Sequence, residues 1–491
     1  MAYQHLLHFS EHLRLNGELV DISFPASTDL EITEITDRVV KAGGSALMFL
    51  HPDGGNVPLL INAYGSEKRM ALALGVSSLS DIAERIEALI RLAPPRTWRE
   101  RLALLPTLKE LSSCAPRRVR NGRCKEVVEI NQPSVSEIPI LRCWPEDGGR
   151  YITLGQVYTR HPTSGRVNVG LYRIQVFDER TLGMHWQIHK GGAAHYREHL
   201  KADHRMEAAI VLGGDPALAY CASAPLPEEI EELVFAGFLR REPVDLAPCE
   251  TIDLDVPADA EFVLEGYIIP GEERLEGPFG DHTGYYSLAD PYPVFHLTAV
   301  TRARDPIYPT IIVGKPPMED AFLGKATERI FLPLIRMTLP EVVDINLPVE
   351  TLFHSLALVS IRKQYPGHAY KAAHALWGLG QMAFCKTIIV FDEEVDVKNV
   401  QDVLWRFANN VAPQRDVGFV RGPVDVLDNS SEYPRYGSKM VIDATKTWPE
   451  EGFDREWPPD VAMSVEVKER VDRIWSELNI PIQTKESIGP L

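Results

Sequence analysis

The chain has 491 residues, 45% of them hydrophobic and 24% charged, which is globular composition with room for two or three domains. Asp and Glu outnumber Lys and Arg by 69 to 51, a net charge of −18, so neither nucleic acid nor an anionic membrane surface is expected as the main partner. No apolar run reaches the ~18 residues of a membrane span, residues 1–16 lack the basic head and apolar core of a signal peptide, and the six cysteines form no C-x-x-C pair and fit the reduced thiols of a cytoplasmic protein.

Residues 1–125 alternate helix and strand signals. Leu6, Phe9 and Leu13 have helical spacing, as do Leu79, Ile82, Ile86 and Leu89, with Ser80-Asp81 as caps. Residues 46–50 and 58–62 read as short strands. A basic, polar linker follows at 117–125. From 126 to 317 the pattern becomes strands separated by turns: 166–177, 251–256, 262–269 and 294–301 are rich in β-branched and aromatic residues. This predicts a barrel or sandwich with inserted helices, one of them opening at Pro227 with Glu228 and Glu229 in its first turn. Gly314 to Pro317 breaks the pattern. The remainder, 318–491, is α/β again, with helices expected over 371–384, 402–409 and 465–478 and a strand over 387–391. The acidic run Asp392-Glu393-Glu394-Val395-Asp396 lacks calcium-loop spacing and reads as a solvated turn. The fold class is α+β.

The most informative stretch is Glu276-Gly277-Pro278-Phe279-Gly280-Asp281-His282-Thr283-Gly284. Two carboxylates flank a turn that can aim both into one space. Paired acids in a shared site have their pKa values pushed apart, so that one holds a proton while the other is charged. The competing reading is a solvated loop. In the 166–177 strand, Val167, Val169 and Leu171 alternate with polar or small residues, and Arg173 falls in line with this apolar face. A buried Arg needs an anionic partner, whether a structural carboxylate or a ligand. Asn168 would point to the opposite face; if it and Arg173 serve one site, either Gly170 marks a bulge or the ligand wraps around the strand. Glu232 lies in a segment that looks buried nearly all round and needs a cation or a hydrogen-bond partner. His189, in His189-Lys190-Gly191-Gly192, offers an imidazole; a set of Asn, His and Glu suits manganese or magnesium better than zinc. His195-Tyr196-Arg197-Glu198-His199 matches the H-x-x-E-H signature, a remote zinc-hydrolase alternative weakened by the presence of 15 histidines. Gly378-Leu379-Gly380 sits inside a helical pattern and reads as packing glycine.

Ordered blocks along the chain carry a resemblance. They are Leu30-Glu31-Ile32-Thr33-Glu34-Ile35, Cys143-Trp144-Pro145-Glu146-Asp147, Asn168 to Arg173, Glu265-Gly266-Tyr267, the Glu276 motif, Gln364-Tyr365-Pro366-Gly367-His368-Ala369 and Gly437-Ser438-Lys439-Met440 with Asp443-Ala444-Thr445. With these the chain resembles the UbiD family of decarboxylases, which use prenylated FMN, over essentially its full length. The resemblance implies an N-terminal α/β domain (1–125), a central split β-barrel that binds the flavin (126–317) and a C-terminal α/β domain with an oligomerisation role (318–491). It implies Asn168, His189 and Glu232 as ligands of Mn2+ or Mg2+, and K+ near Ala222-Ser223 and Glu232. Leu171, Tyr172, Arg173, His185, Trp186, Gln187, Lys190, Gly191 and Lys439 are the implied cofactor contacts.

Arg173, Glu276 and Asp281 resemble the family's catalytic set. Arg173 would position the substrate carboxylate, Glu276 would set the geometry of Arg173, and Asp281 would return a proton, its carboxyl raised by burial and by the Glu276 charge. The implied activity is non-oxidative decarboxylation of an aromatic acid in quinone biosynthesis, on a 3-polyprenyl-4-hydroxybenzoate or a dihydroxynaphthoate. The alternative is catabolism of a small phenolic or polycyclic acid. The implied partners are that substrate, a flavin prenyltransferase supplying the cofactor, further copies of the chain as a dimer or hexamer, and peripheral contact with a membrane for a prenylated substrate.

Overall fold

The strands of the central region close on themselves. The computed structural model describes residues 2–53, 57–92, 112–187, 190–227, 230–478 and 480. Arg150–Arg160 pairs with Val167–Val176 on one side and Met206–Leu212 on the other. Val167–Val176 continues to Thr181–Met184, and Met206–Leu212 to Phe262–Glu276 and then Asp290–Arg302. Asp290–Arg302 pairs back onto Thr181–Met184, which makes a six-stranded antiparallel barrel. Closure leaves these strands no free edge. Alternation along each strand separates two cores. Tyr172, Ile174 and Val176 pack with Val157, Ile210, Leu264 and Phe295, whereas Val169 and Leu171 pack with the helices Pro216–Ser223 and Glu232–Arg240.

The flanking regions are tied to the barrel more closely than the sequence pattern suggests. The 117–125 segment is not a free linker. Arg117–Arg118 is a strand paired with Asp245–Pro248, with Arg117 bridged to Asp245 and Arg118 to Asp255, and a 3-10 turn follows at Arg123–Lys125. The N-terminal sheet, Leu19–Ile22, Ala46–Phe49 and Leu59–Ile61, takes its fourth strand from Tyr308–Pro309, after the barrel is complete. The C-terminal region is a five-stranded mixed sheet in the order Val342–Asn346, Leu356–Ile361, Thr387–Asp392, Tyr436–Asp443, Val417–Pro423.

Other expectations shift locally. The helix Leu79–Ile90 is capped by Ser78, with Asp81 completing a capping box. The helix expected from Pro227 is assigned as Glu232–Arg240; Glu228 and Glu229 lie outside the described residues. The segment expected as one helix over 371–384 is the helix His368–Leu376 followed by a 3-10 turn, Gly380–Phe384. The longest described helix, Asp320–Thr338, packs against Leu79–Ile90 and is absent from the sequence expectations; Pro333 lies inside it and masks it in a sequence reading. No described helix is long and apolar enough to cross a membrane.

Candidate active site

Arg173 lies near the end of the strand Val167–Val176, opposite an irregularity in its neighbour. Ile152 pairs with Ile174 and Gly155 with Tyr172, so Thr153 and Leu154 together oppose Arg173. Two residues facing one is a bulge, and it sits on the partner strand, not at Gly170. Pairing is unbroken from Val167 to Tyr172. Asn168 and Arg173 therefore stay on opposite faces. Gly170 instead makes room for Tyr172, since a Cβ there would lie 2.4 Å from the Tyr172 ring.

The two acids of the Glu276 motif converge on this guanidinium, as the turn suggests. Glu276 ends the strand Phe262–Glu276. Gly277, at φ +99°, reverses the chain where a side chain would be strained. Phe279–Gly280 then pairs with Tyr286–Ser287 and brings Asp281 back. Gly280 is needed for this approach, because a Cβ would stand 2.2 Å from the Trp144 ring. Arg173 donates from Nε and Nη2 to the two oxygens of Glu276, each at 3.0 Å, from Nη1 to Asp281 Oδ2, and from Nη2 to Ser287 Oγ at 3.1 Å. Its guanidinium stands 4.9 Å over the Phe279 ring. Glu276 is fully buried and Asp281 nearly so. His185 Nδ1 lies 3.1 Å from Glu276 Oε2, its ring 4.2 Å from that of Tyr292.

Asp281 departs from expectation. Burial raises its pKa, but the hydrogen bond and charge of His282, with the charge of Arg173, outweigh burial and hold it well below the usual carboxylate range. Glu276 is also lowered, because His185 and Arg173 together overcome burial. The expected splitting of the pair does not occur. A cation between two acids reverses the sign of their coupling, and both are ionised. The proton sits beside them: burial lowers the His282 imidazole, but the bond from its Nδ1 to Asp281 Oδ1 (2.8 Å) outweighs burial and raises it to about 9. Neither His282 nor Ser287 is among the residues that sequence reasoning picks out. His282 stands inside the motif and is legible there; Ser287 carries no signal of its own.

On the other face, Lys190 donates to the Leu171 carbonyl at 2.9 Å, its ammonium 5.1 Å from the Tyr172 ring. Burial pushes it down to about 8, against the pull of Asp425. Tyr172 meets Trp186 edge to face and accepts from the Gly192 amide at 3.1 Å. Gln187 follows, half-buried. Gly191 lies against Asn168, so close that a Cβ would fall 1.9 Å from Asn168 Oδ1. Glu232 accepts from the Val169 amide at 3.3 Å, next to Asn168. Two of the three expected metal ligands are thus neighbours, while His189 lies outside the described residues. Among the described residues no group of three or more His, Cys, Asp and Glu is placed to hold a metal. Ala222 and Ser223 end the helix Pro216–Ser223, with Ser223 Oγ donating to the Tyr220 carbonyl at 2.8 Å. Lys439 is buried in the C-terminal sheet. There it donates to the Ala383 and Cys385 carbonyls and lies 5.5 Å from the Trp377 ring, contacts that all belong to the C-terminal region.

The H-x-x-E-H helix does not form a zinc site. His195 Nδ1 is 3.0 Å from Thr159 Oγ1, His199 Nε2 donates to the Arg160 carbonyl at 3.2 Å, and Glu198 turns outward to Lys201. Helical spacing aligns the residues; the packing of the helix on the Arg150–Arg160 strand decides where they point.

Three family models cover most of the chain. They are the N-terminal, Rift-related and C-terminal domains of 3-octaprenyl-4-hydroxybenzoate carboxy-lyase, at residues 10–89, 117–316 and 321–444. The chain belongs to the UbiD family of carboxy-lyases. It is 51% identical over 97% of its length to a protein of Aquifex aeolicus and 49% identical over 97% to one of Archaeoglobus fulgidus; the matches cover 99% of each, and both are described only as uncharacterized. Among solved structures it is similar to the vanillic acid decarboxylase of Sedimentibacter hydroxybenzoicus in closed form (28% identity, TM-score 0.84, 98% of this chain and 100% of that one). It is also similar to the UbiD-class enzyme HmfF of Pelotomaculum thermopropionicum in complex with FMN (30%, 0.78, 93% and 97%).

Proposed function

We propose that the protein is a non-oxidative decarboxylase of an aromatic hydroxy acid that uses prenylated FMN. The observation that carries this reading is the Glu276–Arg173–Asp281 cluster, a buried cation held by two acids on one outer face of a barrel. The residues present fit a flavin phosphate and its metal. Lys190 is a partly desolvated ammonium bonded to a carbonyl, Gly191 and Gly192 bring backbone close without side chains, and the Asn168 Nδ2 and Trp186 Nε1 atoms are buried without a partner. Lys190, Gly191, Trp186, Tyr172 and Leu171 would hold the flavin, and Asn168 and Glu232, with His189, would hold Mn2+ or Mg2+. When bound, the cofactor supplies an electrophilic carbon that accepts the electrons released as CO2 leaves.

The chain's own residues do the rest. Arg173 binds the substrate carboxylate and neutralises it. Glu276, kept charged, holds the guanidinium in plane by its two-pronged contact. Asp281 returns a proton to the vacated ring carbon. The buried Phe279 ring covers one face of the guanidinium and keeps water from that side. Three matching 3-octaprenyl-4-hydroxybenzoate models support a prenylated quinone precursor as substrate, and the similarity to a vanillic acid decarboxylase supports a small phenolic acid as the second reading. Exposed apolar side chains on the C-terminal region, among them Leu404, Trp405, Met463 and Val465, support a homo-oligomer. Co-production with a flavin prenyltransferase should yield protein carrying prenylated FMN, and a panel of aromatic acids should then find one that releases CO2. Folded protein that holds no flavin under these conditions would refute the reading.

A further inference from the structure

The motif places a second proton-bearing group behind Asp281, and the C-terminal region braces it. His282 Nδ1 is 2.8 Å from Asp281 Oδ1, which also accepts the His282 backbone N–H at 2.7 Å. On its far side, His282 Nε2 is 3.1 Å from Nε2 of His354. The Phe353 ring lies 5.7 Å from His282 and 5.3 Å from His354. His354 follows two residues in left-handed backbone, Leu352 at φ +64° and Phe353 at φ +44°. Positive φ at two bulky residues is strain, and such strain persists where the surroundings hold it. Gly324 provides part of the hold, since a Cβ there would meet the Phe353 ring at 2.8 Å.

We propose that Asp281 and His282 act as one proton-holding dyad, in which His282 stores the proton that Asp281 delivers, and that His354 positions His282 by accepting its Nε2–H. This deepens the decarboxylase reading and rests on it. The step balances. The bond from ring carbon to carboxylate breaks, CO2 leaves, and the electron pair stays behind at the carbon. The Nδ1 proton of His282 passes through Asp281 to that pair, so Asp281 ends ionised as it began and His282 becomes neutral. One solvent proton recharges the imidazole after product departs, so one proton is consumed for each CO2 released. His354 must present a bare Nε2 and therefore carries its own proton on Nδ1, an atom buried without a partner.

The charges around the dyad agree with this geometry. Asp281, itself bonded to Arg173, faces His282 from the barrel, Asp320 from the start of the long helix, and Asp425 from the C-terminal region; Asp425 and Asp428 face His354. Three carboxylates around one imidazole favour its charged form, raising it to about 9 against its burial. Burial and the His282 charge push His354 down to about 4, which keeps it neutral and able to accept.

The test has two arms. In ligand-free protein, 15N NMR of histidine should show the His282 imidazole protonated on both nitrogens at neutral pH and titrating at about 9; Asp281→Asn should lower that value, as should His354→Phe. His354→Gln, whose amide oxygen still accepts a hydrogen bond, should restore it. In flavin-loaded enzyme, His282→Gln should cost about 10²-fold in kcat with flavin still bound. It should also move the alkaline limb of the pH profile down, because Asp281 alone must then hold the proton. His282 titrating as an ordinary imidazole at about 6.5, or an unshifted alkaline limb in His282→Gln, overturns the dyad while leaving the decarboxylase reading intact. Wild-type enzyme that holds prenylated flavin but releases CO2 from no aromatic acid overturns the decarboxylase reading and, with it, the proton step.

Discussion

Two clusters in this molecule share one inventory, two acids and an arginine, and reach opposite states. At the barrel site, Arg173 bonds both Glu276 and Asp281, imidazoles stand behind each acid, and both carboxyls are pulled down. Where the helices Pro216–Ser223 and Glu232–Arg240 meet, Arg240 bonds Asp215 at 2.8 Å, and Asp259 accepts from the Asp215 amide at 3.0 Å. There burial and the charge of Asp215 push Asp259 up to about 7, and burial raises Asp215 as well. Asp215 also caps its helix and ties down the Tyr3 amide. The number of acids per cation does not decide the protonation state. What decides it is whether the cation touches both, and whether a second donor stands behind each. A perturbed acid is therefore not in itself the mark of a functional site: Asp259 is displaced further into the neutral range than either acid of the barrel site, yet its surroundings are structural.

Changes at Arg173 should have the largest effect. Arg173→Met should lower kcat/KM by roughly 10²–10³-fold. It should also cost about 3–5 kcal/mol in stability, because two buried carboxylates lose their shared partner. The pH dependence should change with it. Glu276 and Asp281 have depressed pKa values in the folded state, so the stability they lend is full above the unfolded carboxyl pKa and is lost as pH falls through the folded values. Acid titration of the melting temperature should show this loss in wild type and a flatter curve in Arg173→Met.

Asp215→Ala should separate the two clusters. It leaves Arg240 buried without its carboxylate, at a cost of about 3–5 kcal/mol, while kcat of the folded, flavin-loaded fraction should stay near wild type. A matching loss of kcat in that fraction would break the contrast. Asp259→Asn should have a smaller effect of opposite sign. A carboxyl raised in the folded state destabilises as pH climbs from its unfolded value, about 4, to its folded one, about 7. About three pH units at ~1.4 kcal/mol each set the ceiling, so the amide should gain up to a few kcal/mol above about pH 7 and nothing near pH 4. Denaturant titrations at the two pH values measure it. The smallest effect belongs to His195→Ala, which should change neither turnover nor bound metal; stoichiometric zinc lost in that variant would revive the hydrolase reading.

Much of the site is legible in the sequence because the family motif keeps its acids within one turn and its arginine on one strand. The alternation of Val167, Val169 and Leu171 correctly places Arg173 across from Asn168. What cannot be read is long-range. The bulge lies on Arg150–Arg160 and ends at Gly155, but which of two strand glycines, Gly155 or Gly170, marks it depends on the pairing of the strands. The sign of the Asp281 shift depends on Arg173 lying between the acids, and sequence spacing cannot supply that. The basic run at 117–125 looks like a linker because its partner strand, Asp245–Pro248, is far along the chain. His354 is invisible in sequence for the same reason: its meaning comes from a contact with His282, 72 positions away.

The central claim is that Asp281 delivers the proton to the carbon that loses CO2. Flavin-loaded wild type and Asp281→Asn should be run in D2O on the acid that the substrate panel identifies, and the product examined by NMR. Wild type should place one deuterium at the vacated ring carbon, and Asp281→Asn, with flavin still bound, should form no deuterated product. Turnover and deuterium incorporation in Asp281→Asn equal to wild type would contradict the claim.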